Sequence, residues 1–274
     1  MDENKVKGEM TFLEHLEELR WHIIRSVLAI AIFSILAFVF KRIIFDIILL
    51  GPSQPDFWTN RMICQLGERL NIEGLCINLK PLVLQNTAVA GQFIAHIKIS
   101  IVVGLVLGFP YMFYEFWLFI KPALYQNERK YATGAVFYIA FLFFLGVIFG
   151  YYMITPFSIN FLYNYQVSSI VKNIPTLASY NSLITSIILA SGILFELPML
   201  IYFLSKIGLV TPAFLKRYRR HAVVVVLLIA GIITPTPDMF TQLLVSLPML
   251  LLYEVGIIVS RRVEKAREAE LLAG

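Results

Sequence analysis

Charge is scarce in this chain. Of its 274 residues only 15% are Asp, Glu, Lys or Arg, while 58% are hydrophobic. Soluble domains carry about 25% charged and about 45–50% apolar residues. The scarcity therefore excludes an ordinary water-soluble globule and points to a polytopic membrane protein. Cysteine is nearly absent, with two residues in all, and the four histidines are scattered. No CxxC pair and no His/Cys spacing of a metal centre is present, so no metal is expected. A glycine-rich phosphate loop and a nucleophile motif are also missing, so neither a cofactor nor a catalytic centre is expected. The acidic start, "MDENKVKGE", lacks the basic n-region of a signal peptide, so the first apolar run is expected to stay in the mature protein. A net charge of +5 would suit nucleic acid. Here, though, the bases sit in loops between apolar runs, which is the pattern that sets membrane topology.

What is present is a series of apolar runs. A helical span needs about 20 mostly apolar residues, and six segments are read as spans: about 22–42, 91–119, 131–155, 181–204, 222–234 and 239–259. The expected fold is all-α, a single membrane domain with a long loop at 43–90 and a tail at 260–274. Lys41 and Arg42 close the first span and can snorkel to the interface. Pro110 predicts a kink in the second span, and Pro156 predicts the end of the third. The fifth run, "AVVVVLLIAGIIT", is short for a span, and the following "TPTPD" predicts a tight hairpin with the sixth. With six spans, fifteen Lys and Arg fall on the side of the N-terminus and six on the other. The positive-inside bias then puts both termini in the cytosol and the 43–90 loop outside.

Carboxylates stand where bases are the usual flank. In "MTFLEHLEELRWHIIRSV", Thr11 and Glu14 make a capping box, and Glu17 can pair with Arg20. Glu18 has no cation one turn away, since its i+4 residue is His22. It is thus the acid most free to meet an external cation, the plainer reading being a solvated charge on an interfacial helix. Glu128 lies in "FIKPALYQNERK" beside Arg129 and Lys130, where local ion pairing is the plainer reading. Trp117 and Phe119 precede it as interfacial aromatics. Two carboxylates with aromatic surface on one membrane face suit a short arginine-bearing peptide, because each guanidinium takes a bidentate carboxylate bond.

Glu196 lies within a span, where a carboxyl costs a few kcal/mol even on permissive scales and so faces protein or water. It reads as a proton-handling group, an inner polar pocket, or a neutral acid bonding a neighbouring helix. Pro198 loosens the same helix. Asp238 is placed as an N-cap or first-turn acid. Gln242, one turn on, is an amide suited to interhelical bonding or to docking another helix. Arg25, Lys98, Glu115 and Glu254 stand near span ends and read as snorkelling groups. Cys64 and Cys76 read either as a disulfide closing a short loop or as two free thiols.

In order along the chain, "FLEHLEELR", "FWLFIKPALYQNERK", "FELPML" and "ITPTPDMFTQLLVSLPMLLLYEVGI" resemble the TatC family, the core subunit of the twin-arginine protein translocase. The resemblance runs from about residue 11 to 262. It implies a six-helix, glove-shaped protein of the bacterial inner membrane that binds twin-arginine signal peptides of folded precursors and is driven by the proton-motive force. By the match, Glu18 and Glu128 meet the arginine pair beside Phe119, and Glu196 faces the concave pocket. Pro52 matches a proline of the first external loop, and Gln242 the site where single-span TatA or TatB docks. It implies no enzymatic activity, and a homo-oligomeric assembly within the translocase. Two departures stand out. Glu115 is where the family more often has Gln, and Gln126 where a basic residue is common. The competing readings are a proton-coupled secondary transporter using Glu196 and an intramembrane enzyme. The first offers no account of Glu18 together with Glu128; the second needs a catalytic pair within the spans, where Glu196 is the clear mid-span acid and no His lies deep near a Ser.

Overall fold

The apolar runs fold into helices because helix is one of the two ways a spanning backbone can satisfy its own polar groups. The computed structural model describes residues 12–71, 76–120, 132–171, 173–234 and 239–273. Its elements are α1 (Phe12–Val39), α2 (Trp58–Leu70), α3 (Gly91–Ile120), α4 (Ala132–Phe149), α5 (Thr155–Asn164), α6 (Leu177–Phe195), α7 (Leu197–Lys206), α8 (Pro212–Arg217), α9 (Arg219–Ile233) and α10 (Met239–Ala273). Among the described residues the extended chain makes only an isolated bridge, Gln85 with Thr176. Five helical stretches are long and apolar enough to cross a membrane: His15–Val39, Gly91–Phe119, Val136–Asn164, Leu177–Lys206 and Met239–Glu268. The protein is an all-α, multi-pass membrane protein. At 1.5 Å per residue the 15-residue α9 reaches only about 22 Å, short of the ~30 Å of hydrocarbon.

The chain divides into two compact units, one of residues 1–39 with 100–140, the other of residues 40–99 with 141–274. In the first, α1 lies along α3 on a glycine seam. A Cβ added at Gly104 would strike Ser34 and the Ile30 carbonyl, and one at Gly108 would lie 3.1 Å from the Ile30 side chain. The outward residues Val27, Leu28, Ile32 and Ile35 of α1 are exposed, as suits lipid contact. The second unit holds the larger core, with Ile154, Ile187, Val226, Ala230, Val245 and Met249 buried together. There α9 and α10 pack side by side; their connection, residues 235–238, lies outside the described residues, as does Thr11 of the expected capping box.

Pro156 does not end its helix. Between α4 and α5 the backbone widens to a π turn over Gly150–Ile154, and the helix continues to Asn164. A proline in a helix leaves the carbonyl four residues back without its donor. Here that carbonyl, Tyr152 O, accepts from Thr59 Oγ1 at 2.6 Å, and Thr155 Oγ1 serves Gly150 O at 2.9 Å. The donor from α2 replaces the missing N–H, so the span extends nine residues beyond the expected boundary at 155.

The described residues of 43–90 are built rather than loose. A π turn (Ile43–Leu49) leads to a 3₁₀ turn (Gly51–Ser53) in which Pro52 is buried. Asn60 Nδ2 donates to Gln54 O at 2.7 Å, and Asn78 Nδ2 to Pro156 O at 3.1 Å. Tyr151 and Tyr180 hydroxyls close on Ile48 O and Leu49 O. α2 ends at Asn71 in the left-handed region, and a Cys64–Cys76 disulfide staples α2 to the extended segment that follows. Residues 260–273, within the expected tail, continue α10, and Arg261–Ala273 are mostly strong helix formers.

Candidate functional site

The amphipathic start of α1 sets His15, Glu18 and His22 on one face, since positions three and four apart stack along a helix. That face meets the end of α3. The His15 imidazole stacks on Phe119, ring centroids 4.4 Å apart and planes 21° from parallel. His22 meets the same ring edge-on at 6.1 Å. Glu18 is half-buried between the two histidines in sequence, and its Oε2 is shielded from solvent with no hydrogen-bond partner among the described residues. A buried polar atom without a partner costs about 1–3 kcal/mol, more when charged. Such atoms in native proteins commonly wait for a ligand, ion or water.

One turn deeper, Glu115 is only 3% exposed. His22 Nδ1 donates to its Oε2 at 2.6 Å, and the Tyr111 hydroxyl donates to its Oε1 at 2.6 Å. Arg25 Nη1 lies 3.9 Å from the same Oε2. An ionised carboxylate only accepts, so the imidazole proton sits on Nδ1 and the ring is held at a set angle against Phe119. The expectation that Glu115 snorkels is therefore corrected. Its partner is 93 residues away, and it turns inward because that partner is there. Glu254, also expected to snorkel, pairs with Arg219 at 2.5 Å.

Removing both acceptors should be costly and keeping them cheap. Glu115→Ala is expected to lower stability by about 2–4 kcal/mol, because Tyr111 and His22 are left unpaired. Glu115→Gln, which retains an acceptor for Tyr111, is expected to cost under about 1 kcal/mol. Unfolding midpoints of the two variants in one detergent check this, and equal losses would contradict it.

The other sequence-selected residues fall elsewhere. Glu196 sits at the break between α6 and α7, capping one and opening the other, with Pro198 in the first turn that follows. Its Oε1 is shielded and unpartnered among the described residues. Gln242 is half-buried on α10, and its amide donates to Leu227 O of α9 at 3.0 Å. That bond ties α9 to α10 and uses one amide hydrogen inside the chain. Glu128 and Asp238 lie outside the described residues.

Reasoning from sequence passed over His15, His22, Tyr111 and Asn181. His22 had a legible signal, at i+4 from Glu18. Asn181 is buried with neither amide atom partnered among the described residues, and a carboxamide at the start of a span was its signal.

Fold and site together define a multi-pass helical membrane protein with ionisable groups buried between its helices. The sequence pattern of the family described as Sec-independent protein translocase protein (TatC) matches residues 14–248. The chain belongs to the TatC family, and is thus a protein-translocase component of the membrane. It is 44% identical over 263 residues to the Sec-independent protein translocase protein TatC of Blattabacterium sp. subsp. Periplaneta americana (strain BPLAN), covering 95% of this chain and 98% of that one. The TatC of Helicobacter pylori (strain ATCC 700392 / 26695) is 35% identical over 252 residues, covering 92% of this chain and 88% of that one. A crystal structure described as that of the twin arginine translocase receptor TatC in DDM superposes with a TM-score of 0.68 at 31% identity, covering 90% of this chain and 99% of that one.

Proposed function

We propose that this chain is the signal-peptide receptor and core subunit of a twin-arginine translocase, exporting folded proteins across the bacterial inner membrane on the proton-motive force. It carries out no covalent chemistry of its own. Both termini lie in the cytosol, as the fifteen-to-six split of bases favours, and α9 serves as the short fifth of six spans. One observation carries the reading: the shielded oxygen of Glu18, unpartnered among the described residues, on the face of α1 whose histidines pack on Phe119. A guanidinium there gains a charge-assisted bond to the carboxylate and a cation–π contact with the ring, which an ammonium matches less well. Glu128 is the proposed partner of the second arginine.

Glu196 is proposed to face the pocket that the apolar part of the signal peptide enters. Single-span TatA and TatB helices are proposed to dock by α10 near Gln242, with Asp238 and Pro52 as further structural or docking residues. Several copies of the chain assemble in the working translocase. The test is direct binding of a twin-arginine signal peptide to the detergent-solubilised protein, beside the same peptide with two lysines. Selective binding of the arginine form supports the reading. Equal or absent binding in folded protein would overturn it.

A further inference from the structure

A second polar constellation lies within the larger unit. Lys41 and Arg42 follow directly on α1, Asp46 lies on the π turn, and Gln92 and His96 lie in the first two turns of α3. Together they line one cavity of about 670 Å³, within the ~300–1,000 Å³ of small-molecule sites. Phe45, Leu50, Leu84 and Phe93 complete its walls. Lys41, Arg42 and Asp46 are all exposed, and none makes an ion pair among the described residues.

The depth of the cavity is set by the spans. It gathers the chain just past the first apolar helix, the start of the second and, through Leu177, the start of the fourth. A cavity at helix ends lies at headgroup level, where polar and apolar walls meet. Two cations and one carboxylate in the same cleft are the complement of a ligand carrying one anion and one cation. We propose that this cavity holds the headgroup of a zwitterionic phospholipid, its phosphate on Lys41 and Arg42 and its ammonium on Asp46. The apolar walls take the glycerol and first acyl carbons. Basic clusters alone favour anionic lipid; Asp46 turns the preference, because an anionic headgroup without an ammonium leaves that carboxylate facing like charge. Lipid bound here packs against the segment holding Pro52, bracing it against the first turns of α3 and α6.

The proposal stands apart from the signal-peptide reading and is tested separately. The full-length protein in mild detergent is titrated with phosphatidylethanolamine, phosphatidylglycerol or inorganic phosphate, and retained adducts are counted by native mass spectrometry. Wild type is expected to retain phosphatidylethanolamine about tenfold more than phosphatidylglycerol, the ratio given by one charge-assisted contact. Lys41→Gln with Arg42→Gln should reduce phosphatidylethanolamine retention about tenfold, and Asp46→Asn should bring it to the phosphatidylglycerol level. Lys80→Gln, on an exposed residue outside the cavity, should change nothing and reports on folding. Equal retention of the two lipids, wild-type retention in the cavity variants, or displacement of lipid by inorganic phosphate would each overturn the proposal.

Discussion

Leucine at the buried Gly146 should cost about 3 kcal/mol or more of stability. Gly146 and Gly150, one turn apart, form the seam on which α6 lies. A Cβ at Gly146 would run into the Ser191 carbonyl and stand 2.8 Å from Phe195 Cβ. At Gly150 it would stand 2.8 Å from Ser191 Oγ and 2.9 Å from its Cβ. Both obstacles are on the backbone or close to it, so no side-chain rotation relieves them. In a membrane, helices associate through close packing rather than the hydrophobic effect, and small residues are what permit it. Overpacking alone costs about 1–3 kcal/mol; separating α4 from α6 adds the contacts of Ile187 and Ser191, which are 0% and 1% exposed. Gly134 is the internal control, since nothing lies within 4 Å of a Cβ built there. Gly134→Ala should be neutral or stabilising by up to about 1 kcal/mol. Unfolding both variants in a graded detergent mixture decides the matter: matching midpoints would remove the seam as a determinant of the fold.

The second large effect falls on binding with the fold untouched. Glu18→Gln and Glu128→Gln are each expected to weaken a twin-arginine peptide by about 10- to 100-fold, the equivalent of a charge-assisted hydrogen bond worth about 1.5–3 kcal/mol. Glu18 adds a sharper discriminator. A carboxylate that holds the protein together loses stability on neutralisation. Glu18 Oε2 has no partner to lose among the described residues, so its glutamine variant should unfold at the wild-type midpoint or slightly above while binding falls. Affinity and melting measured on the same preparation separate the two roles. Wild-type affinity in both variants would sink the assignment of the arginine pair, and a lowered midpoint with unchanged affinity would make Glu18 structural.

Some of this could be read from residue order alone, and the physical reason is visible element by element. α3, expected over 91–119, runs from Gly91 to Ile120, because one unbroken apolar run bounded by polar chain leaves a single helical solution. α10 outruns its expected limit because membrane thickness ends a span but not a helix, and nothing after residue 259 breaks one. The third span was misjudged at Pro156, whose effect depends on the Thr59 hydroxyl, 93 residues from the Tyr152 carbonyl it bonds. Glu115 was misjudged for the same reason, its partner His22 being equally remote in sequence.

By itself the sequence determined that this is a helical membrane protein of the TatC family, where its apolar runs lie, and which acids stand out at their ends. Those properties reside in composition and spacing along the chain. Only the tertiary structure decided that Glu115 turns inward to His22 and Tyr111, that Thr59 carries the helix through Pro156, that Cys64 meets Cys76, and that Glu18 keeps an oxygen shielded and unpaired among the described residues. Each of these depends on the distance between groups brought together by packing, and distance through space is not written in local pattern.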